Sequence, residues 1–142
     1  MTNTPFAPQL LTQVDVQEFW RTLIAPLGRH EPRLYVALIG PDHRPLPLLQ
    51  EIAEIPAVMA PDQAEDLALF LRRTLTGRLD GGSVALLHCR PGPPPVTAED
   101  RAAASTYYSA LGGRGVACEV LHLGTDLDIL PLPADEARAL TA

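Results

Sequence analysis

From Val84 to Asp100 the chain reads Val-Ala-Leu-Leu-His-Cys-Arg-Pro-Gly-Pro-Pro-Pro-Val-Thr-Ala-Glu-Asp, and this succession of residue types leaves few folds open. Ser83 to His88 is short and almost continuously apolar, the pattern of a buried strand rather than a surface helix. Pro91 to Pro95 then forbids regular pairing and stiffens the loop toward polyproline geometry. Thr97-Ala98-Glu99-Asp100 follows with the spacing of a capping box, so a helix starts at Thr97 and runs to about Leu111. A buried strand, a preorganised loop and a capped helix in immediate sequence imply a layered αβ sheet.

The rest of the chain repeats that logic. Residues 1 to about 12 form a proline-punctuated arm. Asp15 is the expected cap of a helix to about Leu27, with Val16, Phe19, Trp20, Leu23 and Ile24 on one stripe and Gly28 as its stop. Arg33 to Gly40 reads as a second buried strand, and Pro41-Asp42-His43-Arg44 as a turn. A strand from about Arg44 to Leu49 pairs back as a hairpin, restricted to a sheet edge by Pro45 and Pro47. Ile52 to Met59 is expected as a further short strand. Pro61 opens a helix to about Thr76 with Leu67, Phe70, Leu71 and Leu75 facing inward, and Gly77 ends it. Ala104, Tyr107, Tyr108 and Leu111 share one face of the Thr97 helix, which Gly112-Gly113 ends. Val116 to Leu123 and Ile129 to Leu132 are strands, and Asp135 to Leu140 a last helical turn or two.

At 142 residues, 46% of them hydrophobic, the sequence fits one domain over its whole length with one core. Its eleven basic residues are all arginine, against seventeen acidic residues, for a formal net charge of −6. That balance argues against nucleic-acid binding over a broad basic face. The lysine-free composition points to a bacterial genome rich in G and C. Cys89 and Cys118 lack metal-knuckle spacing and read as buried free thiols. The N-terminus lacks the pattern of a signal peptide and no apolar stretch reaches transmembrane length, so a soluble, cytoplasmic protein without membrane association is expected.

His88, Pro91, Thr97 and Asp100 together resemble the metal cradle of the JAB/MPN metalloproteases, in the version carried by bacterial RadC proteins: a His-x-His-Pro turn followed by Ser-x-x-Asp. The similarity in segment order extends over roughly residues 15 to 132, through Leu34-Tyr-Val-Ala-Leu-Ile-Gly40 and Gly115-Val-Ala-Cys-Glu-Val-Leu-His-Leu-Gly124, where Glu119-Val120 stand in place of the usual Asp-His. The helix-hairpin-helix segment of longer RadC proteins has no counterpart in this sequence. The resemblance implies a cytidine-deaminase-like α/β (α+β) sandwich, with a mixed sheet, one helix on one face and others on the opposite face. It also implies a zinc hydrolase in which two histidines and an aspartate hold the metal and a glutamate from an earlier strand serves as base.

Arg90 stands where that family has its second histidine. A guanidinium stays protonated and has no lone pair to give, so it is a non-ligand that repels a nearby cation. His88 and Asp100 are then vestigial ligand positions, and a zinc-free domain without cofactor is expected. Cys89 is a possible substitute ligand, but its side chain should point to the opposite face from that of His88 if the strand continues. His122 is a second, if it approaches His88 across the sheet. Glu31 is the candidate base, and a solvated loop acid explains it equally well.

Each position also has a structural role open to it: Thr97 and Asp100 as the capping box, His88 bonded to a backbone carbonyl, and Arg90 in a salt bridge to Asp100 or Glu99 that fills the vacated site. The leading expectation is a catalytically degenerate domain acting as a scaffold or interaction module, through an unknown protein partner or self-association. The alternatives are a zinc-dependent (iso)peptidase with a non-standard site, and an anion-binding or DNA-repair-associated module in which Arg90 and the start of the Thr97 helix hold a carboxylate or phosphate.

Overall fold

The computed structural model describes residues 7–24 and 32–138. Five strands form one mixed sheet in the order β2-β1-β3-β4-β5. They are β1 (Arg33–Ile39), β2 (Pro45–Ala53), β3 (Ser83–Cys89), β4 (Leu121–Gly124) and β5 (Ile129–Leu132). Only the β3–β4 pair is parallel, and α3 (Ala98–Gly113) connects it, as a parallel pair requires a crossover. β3 is central and buried along its whole length, as its unbroken apolar run demands.

Alternation along the strands divides the core into two layers. Leu34, Val36, Leu38, Val84, Leu86 and Leu121 pack under α2 (Pro61–Thr74), α3 and α4 (Ala134–Arg138). Ala37, Ile39, Ala85, Leu87, Cys89 and Ile129 pack under α1 (Gln13–Leu23), which contributes Val16, Phe19 and Trp20. The α/β sandwich with one helix on one face and the others opposite is therefore present.

Several boundaries differ from the sequence reading. Thr12, not Asp15, caps α1; Asp15 is the reciprocal acid, accepting from the amides of Leu11 and Thr12 at 3.0 Å each. Those two bonds hold its carboxyl below the usual carboxylate range. Leu10, assigned to the arm, is buried, and its amide bonds the carbonyl of His43. Leu23 is exposed rather than part of the buried stripe. The expected end of this helix near Leu27 and Gly28 lies outside the described residues.

β2 does occupy the sheet edge, where its two prolines are tolerated, but it continues through Ile52 to Ala53. No separate strand follows: Glu54 takes φ 57° and turns the chain away, and Ile55 and Met59 reach the core from a loop. On α2 the buried residues are Ala64, Ala68 and Leu71, while Phe70 is exposed and Leu67 and Leu75 only half-buried. Alanines let α2 approach its neighbour α3 closely, which rotates the buried stripe away from the largest side chains.

The strand expected from Val116 shrinks to Leu121–Gly124 preceded by a single bridge, Val84 to Cys118. Leu87 pairs with His122, so one extra residue is accommodated between the two pairings. The Tyr108 hydroxyl fills the gap: it accepts from the Leu121 amide at 2.7 Å and donates to the Leu132 carbonyl at 2.8 Å.

Candidate functional site

β3 ends at Cys89, and the next residue, Arg90, still donates its amide to the Gly124 carbonyl at 3.0 Å. Its side chain thereby leaves the sheet at the mouth of the proline loop, opposite the start of α3. Thr97 caps that helix: its hydroxyl accepts from the Asp100 amide at 3.1 Å, and the Asp100 carboxylate accepts from the Thr97 amide at 2.8 Å. The capping box thus aims the Asp100 side chain back at the loop.

Arg90 meets it there. Nε donates to one carboxylate oxygen of Asp100 at 2.8 Å and Nη2 to the other at 2.9 Å. Nη1 donates to the carbonyls of Pro91 and Pro93, and Nη2 also to that of Pro95. A guanidinium carries five N–H donors, and here five bonds use them. Prolines cannot donate, but their carbonyls accept, so a loop that cannot pair as a strand is instead organised around one cation. A second clamp fixes the loop from outside, where the Gly92 amide donates to the Asp126 carboxylate at 2.8 Å and the Asp126 amide to the Gly92 carbonyl.

The electrostatics follow from burial and pairing. Burial of Asp100, whose side chain is 3% exposed, would raise its pKa, but the donors from Arg90 and Thr97 outweigh it and hold the carboxyl below the usual range. The bond to Asp100 raises Arg90 in turn. His88 lies on the same face as Asp100 and is buried; desolvation, with Asp100 opposing and Arg90 assisting, pushes its pKa down to about 4, so the ring is neutral at pH 7.

The expected backbone carbonyl is not the partner of His88. Its Nδ1 lies 2.9 Å from the Tyr107 hydroxyl, with the two ring centroids 5.6 Å apart. Tyr107 is buried, which raises its pKa, so it too is neutral. The spacing of Asp100 and Tyr107, two helical turns apart, puts both on one helix face, but it does not say which strand that face meets.

The substitute ligands lie elsewhere. Cys89 is buried on the α1 face of β3, opposite to His88. His122 would stand beside His88 if β4 kept the register of the Val84 bridge; the extra residue moves its pairing to Leu87 and so turns its side chain to the α1 face. Its Nδ1 donates to the Val120 carbonyl at 2.9 Å. Glu31, the candidate base, lies outside the described residues.

The polar groups that this site brings together are engaged mainly with one another. Both oxygens of Asp100 accept from Arg90 and one also from Thr97, Nδ1 of His88 meets the Tyr107 hydroxyl, and the charge paired with Asp100 is a guanidinium. Among the described residues no group of three or more His, Cys, Asp or Glu side chains is placed to hold a metal. The Thr97 amide that could serve an anion is likewise occupied by Asp100. No helix among the described residues is long and apolar enough to cross a membrane. No protein-family model matches the chain, and neither a curated protein nor a solved structure does.

Proposed function

We propose that the chain is a RadC-like JAB/MPN domain that has lost its metal chemistry and is retained as a protein-interaction or scaffold module. The observation that carries this reading is the five-bond use of Arg90. At the place where the resemblance implies two histidines and an aspartate around zinc, the guanidinium binds the aspartate through both oxygens and three loop carbonyls besides. The geometry supports a structural replacement of the metal: one cation bridging the strand end, the proline loop and the first turn of α3. Neither a zinc hydrolase with Cys89 or His122 as third ligand nor an anion site at Arg90 has a comparable observation behind it.

The test is zinc per chain, by mass spectrometry, on untagged protein before and after zinc addition and dialysis. The wild type is expected to stay near zero. The Arg90→His variant, which frees Asp100 and places a second imidazole two residues after His88, is expected to bind zinc. A wild type loaded near one zinc per chain would overturn the reading. A variant that folds but takes up no zinc would count against the JAB assignment itself. Sedimentation velocity over a wide concentration range tests self-association as the form of the interaction.

A further inference from the structure

Beneath α1 two completely buried nitrogens have no hydrogen-bond partner among the described residues, Nε1 of Trp20 and Nε2 of His122. They belong to one layer: Trp20 packs in the cluster that holds Leu87 and Ile129, and His122 is the cross-strand neighbour of Leu87 and of Pro131. Because the Val120 carbonyl can only accept, Nδ1 of His122 carries the ring proton and Nε2 is a bare acceptor, while Trp20 is a bare donor. Both nitrogens would be hydrated if α1 moved away, so each favours the open arrangement.

Among the described residues α1 is the one helix on this face of the sheet. α1 buries three side chains, Val16, Phe19 and Trp20. Across the sheet it makes the bond from Gln17 to the Ile129 carbonyl, at 2.8 Å, and the exposed ion pair of Arg21 with Asp128, at 3.2 Å. The opposite face of the sheet is covered by three helices.

We propose that α1 is a proton-controlled cover, released from the sheet when His122 takes up a proton at Nε2. Protonation would place a second unpartnered N–H and a charge in the layer. The charged group that acts on the ring is Arg21 on α1, which disfavours the cation and is itself paired with Glu18 on α1 and Asp128 before β5; the Cys89 thiol on β3 belongs to the same layer. Burial first, and Arg21 after it, hold His122 at about 4 against the opposing Val120 bond, whereas an exposed ring returns to its ordinary 6.5. Lowering the pH from about 7 to about 5 then raises the ratio of released to docked α1 about 20-fold. Release uncovers a strip formed by Ala37, Ile39, Ala85, Leu87 and Ile129.

Trp20 is the only tryptophan in the chain and reports directly on the cover. Its accessibility to acrylamide, and amide exchange of the 13–24 segment corrected for intrinsic rate, are measured at the two pH values alongside exchange of β3 and α3. The expected result at the lower pH is greater quenching and faster exchange at α1, whose amides exchange faster than those of β3 and α3 at both pH values; β3 and α3 follow only the global loss of stability to which both buried histidines contribute. In His122→Phe the pH dependence disappears, while His88→Gln, on the other face, leaves it. Unchanged quenching at α1, or α1 amides that exchange no faster than those of β3 and α3, would overturn the proposal. The exchange measurement on the wild type decides it even if His122→Phe does not fold.

Discussion

Replacing Arg90 by Met keeps most of the alkyl stem and removes all five donors, so it isolates what the guanidinium contributes. Asp100, 3% exposed, would then hold a buried charge with only the Thr97 amide as partner. Breaking a buried ion pair on one side costs about 3–5 kcal/mol. Because the Arg90 side chain is 16% exposed and one end of the pair is reached by water, the lower end applies, about 3 kcal/mol. For a chain of 142 residues that is a fall in Tm of about 10 °C. Urea unfolding of Arg90→Met, Asp100→Asn and the double variant supplies the measurement. Asp100→Asn removes the charge that Arg90→Met would strand, so the double variant is expected to be more stable than the sum of the single losses predicts, by about 1–2 kcal/mol. A single Arg90→Met variant within about 1 kcal/mol of wild type, or strictly additive losses, would refute the view that this pair organises the site.

Tyr107→Phe leaves the buried Nδ1 of His88 without a partner and is expected to cost about 1–2 kcal/mol in chemical denaturation, with zinc content unchanged. Gly82→Ala should be among the most damaging single changes: the new Cβ would collide with the Ile39 carbonyl and lie 2.9 Å from that of Leu79, both backbone atoms, and loss of folded protein on expression checks it. Stability should also fall as pH drops below 6.5. His88 is held at about 4 in the fold and at 6.5 when unfolded, so protons favour the unfolded chain throughout that window. The loss for this group reaches about 3 kcal/mol by pH 4, and His88→Gln should remove its share of the pH dependence and leave the share of His122.

The sheet was largely legible because β1, β3 and β5 announce themselves by continuous apolar runs, and because Pro45 and Pro47 fit only an edge. Thr97 and Asp100 were legible as a capping box, and the Arg90 to Asp100 pair as opposite charges a short loop apart. What local pattern could not supply was register. Nothing in Val116 to Leu123 marks the extra residue between Cys118 and His122, since its gap is filled by Tyr108, a side chain from another element. That one residue decides which layer His122 enters, and with it whether a second imidazole stands beside His88. The partner of His88 was hidden for a related reason: Tyr107 was readable as part of a buried stripe, but the stripe does not say which strand it meets.

Register also explains why the two histidines carry different consequences although burial depresses both to about 4. His88 faces α3 and has a hydroxyl at Nδ1, and protonation is opposed by burial, with Arg90 assisting, which outweighs the favourable charge of Asp100. His122 faces α1 with Nε2 bare, so even its neutral form leaves an unmet acceptor. The first histidine is built into the layer covered by three helices and reports on global stability. The second lies under α1, the one described helix on its face of the sheet, so its protonation acts on that cover as well as on the fold as a whole. A sheet with unequal covers on its two faces, each over a buried imidazole, separates a stable scaffold from a releasable element within one small chain.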